Sequence, residues 1–436
     1  MKEHLQEAVE HFRARTARYT RAERYYAGDH DLAFATDKFK NAFGSLFREF
    51  ALNLCPAICD AVRDKLRITG FSPDQPDGKA GAALAAAAGR IWTANRMRLR
   101  AGEVHKEALK CGDAYMIVWP DDTGRAALYP NRASTCTVTY DEEFPGRVIR
   151  AAKYWRSPDR RIRMNILYPD RIEKFATERP ADILSDGAAL SPAGPPVPNP
   201  FGVVPVFHFA NNADIGAFGR SEFESAVPIQ DGLNKSVLDM LVAMEYAAYR
   251  QRWASGIEVE YDLDGRPTTP FTAGADHVWM TSSPDTKFGD FNASSLDQFI
   301  KVKDGFRVDI ASVTGTPLHY FTPGSDALRT GAGVKRNESR FLAKVRDRQE
   351  AFGQVWSDVI AFALLVEGIA DDAGLLTRWE DPAPISEREV LENIILKKQI
   401  GLPDQYALSE AGYGEADIKT MLAAARKGPE RSTQNK

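Results

Sequence analysis

Apolar residues recur at helical intervals through the first quarter of the chain. From Leu54 to Leu66 every fourth residue is apolar, so these residues form one stripe. Pro56 predicts the start of that helix or a kink in it, and Gly70 predicts its end. The same spacing predicts four helices in this region, at 3–27, 48–66, 80–96 and 101–111.

The pattern changes to short β-branched and aromatic segments after Asp113. Five of them are separated by turn residues: AYMIVWP, AALYP, CTVTYD, RVIRAAKYW and IRMNILYP. Such segments are typical of strands in an antiparallel sheet. Residues 178–200 are rich in proline and glycine and predict a loop, and GVVPVFHFANN then predicts a strand that returns to the sheet.

Helical spacing returns at residue 220. The predicted helix 220–253 carries one apolar face, formed by Leu233, Val237, Leu241, Met244 and Ala248. After it we predict a small β-rich insertion at 257–293, a helix at 295–313, a glycine-bearing loop, the longest helix at 334–367 and short polar helices within 386–427. This order of helices and strands predicts an α+β fold.

Composition and charge narrow the possible partners of the 436-residue chain. The net charge is -4 and the sequence pI is about 6.1. Proteins that hold DNA through its phosphates are usually basic, because lysine and arginine release condensed counterions. Either DNA is not a partner, or DNA must move past this protein without being held.

Two further features bear on the compartment. Cys55, Cys59, Cys111 and Cys136 form no CxxC pair and have no nearby histidine, which predicts buried thiols in a reducing compartment, with a zinc site as the alternative. The charged opening Met1–Arg24, and the lack of an apolar run long enough for a bilayer, predict a soluble protein made in the cytoplasm, with no membrane partner.

The sequence carries no strong enzyme signature, so we predict no catalytic residue, metal or cofactor. The segment Thr330–Asn337 has two glycines before a helix, but no strand precedes it and Lys335 has the wrong spacing for a phosphate loop. The pair Asp262 and Asp264 lacks the later ligands of a calcium loop. An unrecognised cytoplasmic enzyme stays as an alternative interpretation.

Three segments resemble portal proteins of long-tailed bacteriophages, and they come in the same order and spacing. In the first segment the matching residues are Tyr25, Tyr26, Gly28, Asn53, Asp60, Ala61, Val62, Leu66, Gly70 and Phe71. In the second segment they are Pro205, Val206, Phe209, Asn211, Gly219, Ser221, Glu222, Gln230, Asp231, Leu233, Asn234, Glu245 and Ala248. The third segment is the run TPGSDALRTGAGVKRNESRFLAKVRDRQEAFGQVW.

The resemblance implies a portal fold: a mainly helical wing that contains an antiparallel sheet, a two-helix stem, a small β-containing clip, a long wing helix and a short helical crown. It implies these bounds: wing 1–217, first stem helix 218–254, clip 255–294, second stem helix 295–315, tunnel loop 316–333, long wing helix 334–368, and crown with C-terminal tail 369–436.

The resemblance also implies a function. Portal proteins form rings, usually of twelve subunits, at a capsid vertex, where double-stranded DNA is packaged and ejected. The implied partners are copies of the chain, DNA, the terminase large subunit, the major capsid protein and a head-completion or adaptor protein. The implied location is the host cytoplasm during assembly and then the virion. The ring size stays open between twelve and thirteen copies. The alternative interpretation is another phage structural protein, such as a head-morphogenesis or adaptor protein.

Three groups of residues become candidates for these roles. We expect the tunnel loop to place five residues near the narrowest point of the channel: His319, Tyr320, Ser325, Asp326 and Arg329. On the second stem helix we expect three basic residues either to face the duplex or to pair with acids of a neighbouring subunit: Lys301, Lys303 and Arg307. The clip candidates for docking terminase or an adaptor are Tyr261, Asp264 and Trp279. The basic first half of the long helix predicts a solvated or intersubunit face.

Overall fold

The computed structural model describes residues 2–37, 40–41, 50–74, 78–181, 190–248, 252–256, 261, 264–265, 285–290, 297–322, 331–370, 374–383, 387–410 and 418–423. The chain divides into two compact units, Met1–Glu380 and Asp381–Lys436. The first unit contains all the strands and most of the helices given below. The mixture of helices and antiparallel strands confirms the α+β class.

Seven helices are described in the first unit: α1 Lys2–Ala27, α2 Cys55–Arg63, α3 Gly78–Ala94, α4 Met97–Cys111, α5 Val227–Ala248, α6 Asp297–Thr314 and α7 Gly331–Val366. All seven were predicted, but α2 and α5 begin seven residues later than predicted, and α4 and α7 begin earlier. Helix α4 begins four residues early, directly after Arg96 in a left-handed conformation. Helix α7 begins at Gly331, so Gly331 and Gly333 lie in its first turn and not in the loop before it.

Helix α2 is shorter than predicted, because it ends at Arg63 and the chain then turns into a strand. Its first turn contains Pro56, as expected, but strand β1 begins at Ile68. Gly70 therefore lies inside a strand and does not end a helix. Strand β1, Ile68–Pro73, pairs antiparallel with a segment, 375–379, that the sequence analysis assigned to a helical region. The pairing partner is about three hundred residues away, so local periodicity gives no sign of it.

The predicted single sheet is two sheets. The strands are β2 Asp113–Pro120, β3 Ala126–Arg132, β4 Cys136–Tyr140, β5 Val148–Arg156, β6 Ile162–Leu167, β7 Arg171–Thr177, β8 Leu190–Pro192, β9 Val197–Pro198, β10 Val206–Ala210, β11 Arg252–Ser255, β12 Lys287–Asp290 and β13 Leu375–Trp379. The three-stranded sheet has the order β10–β2–β3, and the six-stranded sheet has β4–β5–β6–β7–β8 with β9 also on β7. Strand β7 was missed because its charged residues alternate with few apolar ones, and the short strands β8 and β9 lie within the predicted loop 178–200.

The outer edge of β3 is covered by side chains. Asn95 donates to the carbonyl oxygen of Ala126 (2.9 Å) and accepts from the backbone N–H of Leu128 (2.9 Å), so its amide takes the place of a neighbouring strand. Arg100 donates to the carbonyl oxygen of Leu128 (3.1 Å), and Glu367 accepts from the N–H of Ala126 (3.3 Å). Backbone groups that would otherwise need a strand partner are thus satisfied.

Helix α7 supplies the centre of the core of the first unit. Its predicted apolar face is buried, and Phe341, Phe352 and Trp356 are among the largest fully buried side chains. Trp356 meets Trp92 of α3 edge to face, with 5.1 Å between ring centroids. Burying one such side chain stabilises a fold by about 1.5–3 kcal/mol, so this helix contributes a large share of the packing free energy.

The second unit includes the helices α8 Glu387–Gln399 and α9 Asp404–Glu410. Lys398 and Asp404 form an ion pair of 3.0 Å across the turn between them. These helices confirm the prediction of short helices within 386–427. Among the described residues, no helix is long and apolar enough to cross a membrane.

Candidate functional site

Helices α5 and α6 lie side by side, and the first half of α5 is largely buried whereas most of α6 is not. The ring of Phe306 lies against Gly232, where a Cβ atom would be only 3.2 Å from two ring carbons, so glycine permits the close approach. On α6 only Ile310 and Thr314, near its C-terminal end, are buried. The residues of α6 before Ile310 are half-buried or exposed.

Apolar side chains of α6 remain exposed on two sides. At 3.6 residues per turn, Ile300 and Val308 lie on one flank of its buried line, while Val302 and Val313 lie on the other. All four are exposed large hydrophobic residues. Their exposure in the single chain is unfavourable, because burying apolar area gains about 25 cal/mol per Å².

The basic residues predicted to face a channel occupy different sides of α6. Lys301 is exposed, whereas Lys303 and Arg307, four residues apart, share the half-buried side. The Arg307 guanidinium is 3.1 Å from a carboxylate oxygen of Asp304. The helix therefore carries all three residues but does not bring them together on one surface.

Two of the five tunnel-loop candidates are described, and both pack on α7. His319 and Tyr320 lie in one turn of 3₁₀ helix, and the His319 Nε2 atom is 3.2 Å from a carboxylate oxygen of the buried Glu338. The ring of Tyr320 is 5.6 Å from that of Phe341, and burial raises the pKa of Tyr320 to about 12. The other loop candidates, Ser325, Asp326 and Arg329, lie outside the described residues.

The predicted clip is described only in part. Strands β11 and β12 form an antiparallel ribbon between α5 and α6, and the indole of Trp253 lies so close to Gly289 that a Cβ there would be 2.6 Å away. Tyr261 and Asp264 are exposed, whereas Trp279 lies outside the described residues. The structure does not bring the three clip candidates into one described cluster.

The first turns of α5 are fixed by buried polar side chains. The hydroxyl of Tyr25 donates to Asp231 (2.8 Å), and burial raises the pKa of that carboxyl group. Gln230 accepts from the N–H of Leu54 (3.0 Å) and donates to the carbonyl of Leu52 (2.7 Å). The Asn234 amide is 2.7 Å from His30 Nδ1. These bonds tie α5 to the segments that flank α1 and α2.

A second polar centre is the fully buried Asp113, at the start of β2. Its carboxylate accepts four hydrogen bonds, from Arg18 (2.8 Å), Tyr19 (2.7 Å), His208 Nε2 (2.8 Å) and the backbone N–H of Gly219 (2.7 Å). Burial alone would raise the pKa of Asp113, but these donors outweigh it and lower the pKa below its usual value. The centre joins α1, β2, β10 and the segment that leads to α5.

Two glycines bring this segment into backbone contact with the end of α4. A Cβ at Gly219 would be 2.0 Å from the carbonyl oxygen of Gly112, and 2.5 Å from the N of Asn211. Asn211 N–H donates to that same Gly112 carbonyl (2.7 Å), and Arg220 N–H donates to the Asn211 carbonyl (2.7 Å). Only glycine fits at position 219 without moving the backbone.

Glu222 joins the same segment to α7. It is buried, 2.6 Å from Lys344 Nζ and 3.5 Å from Arg348, and it accepts from the Asn211 amide (3.1 Å). Burial would raise the pKa of Glu222, but the charges of Lys344 and Arg348 lower it below its usual value. The prediction that the basic half of α7 is a solvated or intersubunit face is therefore wrong for Lys344 and Arg348, which pair inside the chain.

A family model described as "Phage portal protein, SPP1 Gp6-like" matches residues 5–427. The chain belongs to this family of phage portal proteins. The portal protein of Mycobacterium phage D29 is 24% identical over 236 residues, which cover 51% of this chain and 48% of that protein. The portal protein of Mycobacterium phage L5 is 26% identical over 236 residues, which cover 52% and 49%. The chain spans about half the length of these curated relatives.

Solved structures with a similar course of the chain come from gene transfer agent (GTA) particles. The neck of an empty GTA particle has a TM-score of 0.44 and 13% identity, covering 84% of this chain and 90% of that one. The virion of a native GTA particle has a TM-score of 0.44 and 12% identity, covering 84% and 88%.

The portal resemblance found in the sequence is thus confirmed, and the structure gives its motif residues a place. Gln230, Asp231 and Asn234 hold the first turns of α5, and Gly219 and Glu222 hold the segment just before it. The buried partners of these residues carry no local pattern and were missed. They are Asp113, His208, Lys344 and Arg348.

The four cysteines are buried, and one of them lies beside two carboxylates. All four cysteines are buried free thiols, as predicted, and burial raises the pKa of Cys55 and of Cys136 to about 12. Within the described ranges, one group of three potential ligands lies close together: Glu23, Glu107 and Cys111. The ammonium of Lys110 lies 2.8 Å from Glu107 and 3.6 Å from Glu23, so one positive charge already pairs with these carboxylates.

Proposed function

We propose that this chain is the ring-forming subunit of a phage head–tail connector. In this role it forms the portal at a capsid vertex, through which double-stranded DNA is packaged and later ejected. The observation that carries the proposal is the match to the portal family across residues 5–427. The helix pair α5–α6, which exposes apolar side chains on two flanks, supports it.

The two exposed flanks of α6 suit a ring. A subunit in a ring has two neighbours, and one face must match the opposite face of the next copy. Ile300 and Val308 would meet one neighbour, and Val302 and Val313 the other. We expect twelve copies around a central hole.

DNA must slide through such a ring, so its wall should attract phosphates only weakly. The net charge of -4 fits this requirement. Transient contacts come from Lys301, Lys303 and Arg307 on α6 and from the tunnel loop. The proposed loop contacts are His319, Tyr320, Ser325, Asp326 and Arg329, with His319 and Tyr320 braced by Glu338 and Phe341.

Other partners act at the ends of the ring. The terminase large subunit and later a head-completion or adaptor protein would dock at the clip, where the candidates are Tyr261, Asp264 and Trp279. The major capsid protein would surround the wing. The chain would assemble in the host cytoplasm and remain in the virion. It is a structural protein in this proposal, and terminase supplies ATP hydrolysis.

Electron microscopy and native mass spectrometry of the purified chain test the ring directly. We expect annular particles with a central pore and a mass near twelve subunits. A chain that stays monomeric at high concentration contradicts the proposal.

The basic residues of α6 are tested in an infection assay. The triple variant Lys301→Gln, Lys303→Gln, Arg307→Gln should still form rings but package DNA about tenfold less, because it lacks transient phosphate contacts. The matched control replaces three exposed lysines outside α6 by glutamine: Lys40, Lys174 and Lys419. Equal packaging by all variants would remove these three residues from the channel.

A further inference from the structure

Unpaired arginines gather at the corner between α3 and α4. Arg90, Arg96 and Arg98 are exposed, and no carboxylate in the described part of the chain pairs with any of them. Arg100 is half-buried and donates to the carbonyl oxygen of Leu128 (3.1 Å). Such a concentration of positive charge stands out in a chain whose net charge is -4.

A cleft of about 500 Å³ opens beside this corner. Its lining includes the buried side chains of Trp92 and Met97, which are apolar. Gly102 of α4 also lines the cleft, and a Cβ built on it meets no atom within 4 Å. The glycine thus leaves open space where a side chain would otherwise lie.

The rim of the cleft carries three arginines and two carboxylates, those of Asp64 and Glu380. Arg63 and Arg67 are already paired, with Asp64 (2.7 Å) and Glu380 (3.3 Å). Arg98 lines the same cleft without a carboxylate partner among the described residues. The amino-terminal end of α4 adds further positive potential, because the cap residue Arg96 makes no side-chain capping bond.

An apolar side chain is exposed next to these charges. Leu99 lies between Arg98 and Arg100 and is 72% exposed. Its position on the first turn of α4 gives the corner an apolar contact point as well as charge. Arginine with an exposed apolar neighbour is a common composition of protein-binding surfaces.

We propose that this arginine cleft, defined by Arg63, Arg67, Arg98, Trp92 and Gly102, docks an acidic peptide segment of another protein. The partner would place an aliphatic or aromatic side chain over Trp92 and carboxylates on Arg98 and the adjacent exposed Arg96. Guanidinium groups bind carboxylates through two parallel hydrogen bonds, which adds geometric selectivity to the charge attraction.

A peptide fits these features better than duplex DNA. A duplex presents regularly spaced phosphates on a broad convex surface and has no side chain to place in an apolar-floored cleft. Leu99 would also gain nothing from a phosphate backbone. The inference is independent of the channel function, because neither α5 nor α6 lines this cleft.

Fluorescence anisotropy with a labelled synthetic peptide of repeated Asp-Leu-Glu units tests the cleft on the full chain. We expect saturable binding that weakens as salt is raised. Arg98→Glu should weaken it by about tenfold or more, as for a central interface arginine. Gly102→Leu should fill the cleft and abolish binding, while circular dichroism and the melting temperature stay near those of the parent chain.

Matched probes and a matched variant decide the outcome. Gly89→Leu, on an exposed helical glycine that also has open space but does not line the cleft, should bind like the parent. A poly-glutamate peptide of equal charge should bind at least about tenfold more weakly, since it lacks leucine. Equal binding of poly-glutamate, unaltered binding by Gly102→Leu, or tighter binding of a short labelled DNA duplex that is lost in Arg98→Glu would overturn the proposal.

Discussion

The amino-terminal half of α5 and the exposed flanks of α6 belong to one helix pair but have opposite surroundings. The first turns of α5 bond to the rest of the chain through Gln230, Asp231 and Asn234, all of them buried. Helix α6 exposes valine and isoleucine to solvent along most of its length.

The contrast separates two tasks. Buried polar bonds fix where the pair leaves the core, because a misplaced buried donor or acceptor costs about 1–3 kcal/mol. Exposed apolar residues contribute nothing to the single chain and can stabilise only an assembly. Mutations at the two places should therefore have different consequences, and the following changes test that difference.

The largest loss of stability should come from Asp113. Replacing it by asparagine removes a buried charge from Arg18 and His208, and we expect the free energy of unfolding to fall by about 3–5 kcal/mol. Urea denaturation at one fixed protein concentration measures the loss. The control Asp122→Asn, at an exposed turn, should change it by less than about 0.5 kcal/mol. Equal effects of both variants would refute a central role for Asp113.

Gly219→Ala should be the next most damaging change. Its methyl group would meet the backbone oxygen of Gly112 at 2.0 Å, so the segment before α5 must shift, at a cost of about 2–4 kcal/mol. Gly89→Ala, in an open position of a helix, should instead stabilise the chain by up to about 1 kcal/mol. Thermal melts of the two variants should move in opposite directions.

A smaller loss is expected on acidification, through His105. This residue is fully buried and accepts from the Trp356 indole (2.8 Å), and burial lowers its pKa from 6.5 to about 3. The unfolded chain binds a proton below pH 6.5 and the folded chain does not, so stability falls as the pH drops. Between pH 7 and pH 5 the contribution is about 2 kcal/mol.

The glutamine variant isolates that contribution. His105→Gln keeps an oxygen that can accept from Trp356 but has no titrating ring, so its unfolding free energy should depend on pH less steeply by the same amount. If parent and variant have parallel pH profiles from pH 7 to pH 5, His105 is not the source of the acid sensitivity.

The smallest effect on the single chain, and the largest on assembly, is expected at Val308. Val308 is 50% exposed on α6, and Val203 is 48% exposed elsewhere in the same unit. Replacing either by aspartate should change the stability of the subunit by less than about 0.5 kcal/mol. Only Val308→Asp should abolish rings in size-exclusion chromatography with light scattering. Loss of rings in both variants, or in neither, would contradict the assignment of α6 to a subunit interface.

Sequence reasoning identified most helices because their apolar stripes are long and regular. The face of α7 that includes Phe341 and Phe352 is buried as expected. The sequence-based prediction missed β1 and β13, since each is short and is a strand only through its pairing with the other. It also merged two sheets into one, because strand patterns specify alternation but not which neighbour a strand selects.

The polar centres could be predicted only halfway. The motif residues Gly219 and Glu222 stood out in the sequence, but nothing local connects them with Asp113 or Lys344. The basic residues of α7 were predicted to lie on a surface, because their acidic partner Glu222 is distant in the sequence. A charge is assigned to the interior only when its distant counter-charge is known, and that knowledge requires the fold.

The side-chain cover over β3 has a consequence for a protein that must gather many copies at one place. At an open strand edge, subunits can pair through backbone hydrogen bonds without a limit on their number, and such pairing leads to aggregates. Because Asn95 and Arg100 already bond to the edge of β3, neighbouring copies cannot pair through that strand. At this edge, contact between copies can use only side-chain surfaces, whose shape can limit how many copies join.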